Sequence, residues 1–152
     1  MLKRALSLGL LLALVVMVSN RWAMSQQEEA PVPAYNANPP AKGEKLPPIL
    51  KKEQLWGSGP LKPVQIHAYE LASRIPVVIH QQPCYCHCDR MGHNSLHSCF
   101  EGMHGAECST CMQELYYSYL QHKKGKTAAQ IRAGIIRGEY QQIDLQTAAS
   151  IQ

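Results

Sequence analysis

No cysteine precedes residue 84, which excludes a lipid-modified cysteine behind an export signal. The apolar run at 5–18 is fourteen residues long, short of the ~20 that a membrane-spanning helix takes. Beyond residue 64 the chain has no strand-like alternation and no internal repeat, which argues against a sheet fold. Residues 64–152 carry seven basic and seven acidic side chains. That balance leaves no electrostatic footprint for nucleic acid, so no nucleic-acid partner is expected. No Ser/His/Asp grouping, phosphate loop or pair of carboxylates stands out for catalysis. The length of 152 residues allows one ordinary domain and excludes a large multidomain enzyme.

What is present divides into three parts. Residues 1–25 have the order of a signal peptide: Lys3 and Arg4, the apolar run, then Ala23-Met24-Ser25 as a small-x-small cleavage pattern. An uncleaved signal, with Arg21 and Trp22 at its end, would instead tether the chain to a membrane. Either way the folded part is expected outside the cytoplasm, periplasmic or secreted, where disulfides persist. Residues 26–63 hold eight of the ten prolines and read as a disordered, semi-extended linker. Leu46, Ile49, Leu50, Leu55 and Trp56 are the linker side chains able to dock on a domain. Residues 64–152 remain as a Cys-rich domain whose thin core calls for disulfides or a metal.

Helical spacing dominates that domain, and the expected fold class is all-α: a small helical domain with an irregular Cys-rich loop. Val64, Ala68, Leu71, Ala72 and Ile75 mark a first helix that Pro76 stops. Val77-Val78-Ile79 is a short apolar run, extended or buried. Asn94 or Ser95 caps a short helix bearing Leu96, Cys99, Phe100 and Met103. Cys108, Cys111, Met112, Leu115, Tyr116, Tyr119 and Leu120 form one stripe of the strongest helix, with Gly125 as its stop. Thr127-Ala128-Ala129-Gln130 is a capping box opening a helix with Ile131 and Ile135 inward. Ile143, Leu145 and Ile151 suggest a further helix in the tail.

All six cysteines fall within 84–111, as Cys84-x-Cys86-x-Cys88, then Cys99, then Cys108-x-x-Cys111. His87, His93, His97 and His104 are interleaved with them. Thiolates and imidazoles together suit a soft transition ion, Zn or Cu. A disulfide needs Cα atoms about 4.4–6.8 Å apart with converging side chains, which a C-x-C-x-C run does not easily provide. Extended, the first three thiols share a face; in a tight loop they surround a point. Cys108 opens the best helix, where free N–H groups favour a thiolate. The candidate ligands are Cys84, Cys86, Cys88, His93, Cys99, His104, Cys108 and Cys111. His93 and His97, four apart, have helical pair spacing, and His97 carries half the weight of His93. Met91, Met103 and Met112 lie nearby and would favour copper, although Met112 sits on a packing stripe.

Pro83-Cys84-Tyr85-Cys86-His87-Cys88, Gly92-His93-Asn94-Ser95-Leu96, Cys99-Phe100, His104 and Cys108-x-x-Cys111 resemble a family of exported bacterial proteins of unknown function, the PCYCGC-motif family. Ala68-Tyr69-Glu70-Leu71-Ala72 upstream and Lys124-Gly125-Lys126 with Ile131-Arg132 downstream extend the resemblance over 65–138. It implies export and the cysteine pattern, and no activity. The chain departs from the motif in carrying His87 where the family has glycine. A shorter stretch, Cys108-x-x-Cys111 followed by a helix, Gly125-Lys126 and Ile131, is similar to cytochrome c maturation thiol proteins.

Three functions fit these residues. The first is a non-enzymatic binding module holding a soft metal ion through the thiols and histidines. The second is an exported structural or interaction domain stapled by disulfides, with fifteen pairings open to six cysteines. The third is a thiol–disulfide exchanger using Cys108 and Cys111, against which stands the lack of a βαβ pattern.

Overall fold

The computed structural model describes residues 31–57 and 59–152, and the expected signal peptide lies outside them. Val32–Gln152 form one unit, and its class is all-α, with no strand among the described residues. No helix among them is long and apolar enough to cross a membrane.

Helix α1, Pro63–Arg74, begins with a proline at its first turn, where the missing N–H costs nothing. It buries Ala68, Tyr69, Leu71 and Ala72, the face that the spacing predicts. Pro76 ends it and at once opens α2, Pro76–His80. The apolar run 77–79 is therefore one turn of helix and not extended chain. A proline fixes φ for a helix start, and period-two and helical patterns cannot be told apart over three residues.

An irregular stretch follows, containing a 3-10 turn at Cys88–Met91, and leads to two single-turn helices: α3, Leu96–Cys99, and α4, His104–Glu107. Ser95 stands at the N-cap of α3 without a side-chain cap bond. Helix α5, Ser109–Lys123, is the longest of the described helices. It buries the predicted Cys111, Met112, Leu115, Tyr116 and Tyr119, and also Glu114, Tyr117 and Ser118. The burial on two sides has a simple cause: α5 lies between two apolar clusters. One gathers α1 to α4 with the cysteines; the other holds Tyr117, Ile131, Ile135 and Tyr140. Gly125 closes α5 at φ +79°, a conformation that suits glycine.

Helix α6, Ala128–Ile136, carries the expected capping box: the Thr127 hydroxyl accepts from Gln130 N–H at 3.3 Å, and Gln130 Oε1 accepts from Thr127 N–H at 2.9 Å. Gly134 lets α6 approach α5, because a Cβ there would collide with the Tyr117 hydroxyl. The tail forms 3-10 turns at Glu139–Gln142 and Ala148–Ser150 in place of the suggested α-helix. Ile143, Leu145 and Ile151 still pack on the larger cluster. Three apolar side chains there meet the core without helical periodicity, so burial alone imitated a helix signal.

Residues 32–57 follow an irregular path along the helices. Ile49, Leu50 and Leu55 pack against the larger cluster, whereas Trp56 is 70% exposed. Leu50 N–H donates to Phe100 O at 3.0 Å, Asn36 Nδ2 to His80 O at 3.0 Å, and the Arg132 guanidinium lies over the Tyr35 ring at 4.5 Å.

Candidate metal centre

The first three cysteines are gathered by a tight turn. Gln82, fully buried, donates from Nε2 to Val78 O at 2.9 Å and to Ala128 O at 3.2 Å. Its carbonyl accepts Leu96 N–H at 2.9 Å. These bonds pin both ends of the loop. Between them, His87 N–H donates to Cys84 O at 3.1 Å and His93 N–H to Cys88 O at 3.2 Å. His87 sits at φ +57°, the non-glycine residue with positive φ among the described residues. That left-handed step reverses the chain between Cys86 and Cys88. Their Cα atoms lie 5.6 Å apart and the two sulfurs sit at disulfide distance. The expectation that a C-x-C pair does not easily close is thus corrected, and a positive φ at the intervening residue is the reason.

The other thiols come from the helices. Cys99 ends α3, Cys108 caps α5 and Cys111 lies in its first turn. The sulfurs of Cys84, Cys86 and Cys111 form a triangle with edges of 3.1, 3.4 and 3.4 Å. Thiolates around one tetrahedral zinc, at a bond length of about 2.3 Å, stand about 3.8 Å apart. With Cys86 free of Cys88, a small outward shift of the three side chains would open that spacing. His104 Nε2 lies 2.8 Å from Cys88 Sγ and 3.7 Å from Cys86 Sγ. Burial, and then the charge of His93, lowers the His104 pKa and favours the neutral imidazole that a metal requires.

Seven of the eight predicted ligands come together. Cys84, Cys86, Cys88, Cys99 and Cys111 form one group, and Cys86, His104, Cys108 and Cys111 a second, with the donor atoms in each within 4.8 Å of one another. The cluster can hold a metal ion. His93 belongs to neither group: its Nδ1 is 3.4 Å from Cys99 Sγ and its ring meets that of His104 at 5.2 Å. His97 turns away altogether, its Nδ1 2.9 Å from Glu101 Oε1 and its ring facing His80. Met112 packs in the core and Met91 is 66% exposed. His67 Nδ1 lies 3.1 Å from the Tyr116 hydroxyl. Tyr85 stacks on Tyr140 at 6.1 Å.

The thiols compete for protons. Hydrogen bonds from Cys111 and then Cys84 pull the Cys99 thiol down to about 5. Cys111 is pushed up, chiefly by its hydrogen bond with Cys84. At Cys84 the Cys111 bond favours the thiolate, but the hydrogen bond to Cys99 and burial outweigh it and hold the thiol at about 12. A cation entering the cluster would displace the protons held by Cys84 and Cys111, and its binding would then strengthen with rising pH.

Sequence reasoning missed Glu114. Its carboxyl is fully buried on α5, accepts Tyr85 N–H at 2.7 Å through Oε1, and has no hydrogen-bond partner at Oε2. Burial first, and the Cys84 charge second, hold this carboxyl well above the ordinary range. The available signal was its position three residues after Cys111, between Met112 and Leu115. Comparison with protein families, curated proteins and solved structures finds no match to the chain.

Proposed function

We propose that this is an exported, non-enzymatic protein whose Cys/His centre binds a soft transition ion, Zn or Cu. The observation that carries the reading is the convergence of donors from two separated stretches, 84–99 and 104–111, into two overlapping groups, each with its donor atoms within 4.8 Å of one another. Thiolate with imidazole is the donor set for either metal. Four of the six cysteines, Cys84, Cys99, Cys108 and Cys111, have no disulfide partner, and all but Cys108 of these are buried. Export rests on the charged start, apolar run and cleavage pattern of residues 1–25. The likeness to the PCYCGC family supports the same placement.

Protein purified from the exported fraction, without oxygen, should carry stoichiometric Zn or Cu by elemental analysis. Chelator should lower its helicity, because metal binding and folding are coupled. Metal-free protein with unchanged helicity would overturn the reading. A second reading has its own support in the Cys86–Cys88 approach: disulfide chemistry, as a staple or as exchange through Cys108 and Cys111. Its sign is a mass increase on reduction that accounts for all six cysteines.

A further inference from the structure

We infer that the centre holds two soft ions, sharing the thiolates of Cys86 and Cys111. The inference rests on the metal-binding reading above and adds the number, order and bridging of the ions. Seven donors exceed the four that one tetrahedral ion accepts. They are not an undivided set. Cys108 and His104 meet the requirement of mutual reach with Cys86 and Cys111, and Cys84, Cys88 and Cys99 meet it with the same two thiols. Counting the shared sulfurs in both groups gives four donors for one ion and five for the other, enough for two four-coordinate sites. The sulfurs of Cys86 and Cys111 lie 3.4 Å apart. Two ions bridging that pair at a bond length of about 2.3 Å stand about 3 Å from each other.

Burial distinguishes the two positions. Cys84, Cys88, Cys99 and Cys111 are buried, whereas Cys86, His104 and Cys108 are half-exposed. The inner ion is enclosed by the loop, α3 and α5. The outer ion, with three sulfurs and one imidazole, faces solvent at the junction of α4 and α5. It is the exchangeable one. Each ligating thiol gives its proton to water as it binds, and no electron transfer is involved. Cys86 and Cys88 sit at disulfide distance, so before loading a dithiol reductant supplies two electrons and two protons, is itself oxidised to its disulfide, and leaves both as thiols.

The test titrates reduced, full-length protein under argon with Zn(II) and, separately, Cu(I), and reads the count by native mass spectrometry. Wild type should saturate at two ions with at least one of these metals, and Cys108→Ser should saturate at one. A chelator should remove half the metal of wild type rapidly and the rest slowly. Loading with cadmium-113 should give two resonances coupled to each other through a shared sulfur, a readout that does not depend on the variant folding. Saturation at any other non-zero count with both metals, or a single cadmium resonance, overturns the shared-thiolate arrangement and leaves the metal-binding reading intact. No uptake of any ion overturns that reading as well.

Discussion

His87 illustrates how much one backbone angle decides. At φ +57° an L-residue with a Cβ pays roughly 1–2 kcal/mol relative to its ordinary conformations. Glycine escapes that strain but loses about 0.5–1 kcal/mol of chain entropy on folding. Glycine is the residue that such a turn prefers. His87→Gly is therefore expected to stabilise the reduced protein by up to about 1 kcal/mol, and His87→Val to destabilise it by at least as much, in urea unfolding. A loss of stability in His87→Gly would mean that the imidazole contributes more than the turn costs. The candidate ligands were legible in the sequence because all six cysteines lie within 84–111 and none elsewhere. Two features were not. Spacing cannot reveal a positive φ at a histidine, so the closure of Cys86 on Cys88 was hidden. Nor can it show that a glutamate among apolar neighbours, Glu114, faces the core.

Among the elements, α5 and α6 were the most legible, since an apolar stripe and a capping box are local signals. Single-turn helices such as α2 and α4 leave too few residues for a period to show, and the tail buries side chains from 3-10 turns. The contact between α5 and the 3-10 turn that follows α6 also has a titratable link. The Tyr117 hydroxyl donates to Glu139 Oε2, and Arg137 Nη2 donates to Glu139 Oε1 at 2.7 Å. The Tyr117 bond first, and Arg137 second, hold the Glu139 carboxyl below its ordinary value of 4.5. Burial, reinforced by the bond to Glu139, pushes the Tyr117 hydroxyl up to about 12. A carboxyl depressed in the folded state contributes stability that is complete above its unfolded value and is lost as pH falls through the folded one. Wild type should therefore lose more of its urea midpoint than Glu139→Gln as pH is lowered from 5 towards 3. Parallel curves for the two proteins would show that this link contributes nothing to folding.

At the scale of the whole molecule, the helices supply a shell and the centre supplies much of the interior. Cys84, Cys88, Cys99 and Cys111 belong to the same buried cluster as Leu71, Ile79 and Leu115, so a bound ion would be part of the core. The linker segment adds Ile49, Leu50 and Leu55 to that cluster. These three are among the five apolar side chains that the sequence marks as able to dock, whereas Trp56, marked with them, stays exposed. A domain of this size with ions in its interior gains stability that an apolar core alone would not provide. The most direct measurement is X-ray absorption at the metal edge of the reduced, loaded protein. A shell dominated by sulfur at about 2.3 Å, with an imidazole contribution from His104, is the predicted result. A first shell of oxygen and nitrogen alone would contradict it, because the ion would then lie away from the thiols of 84–111.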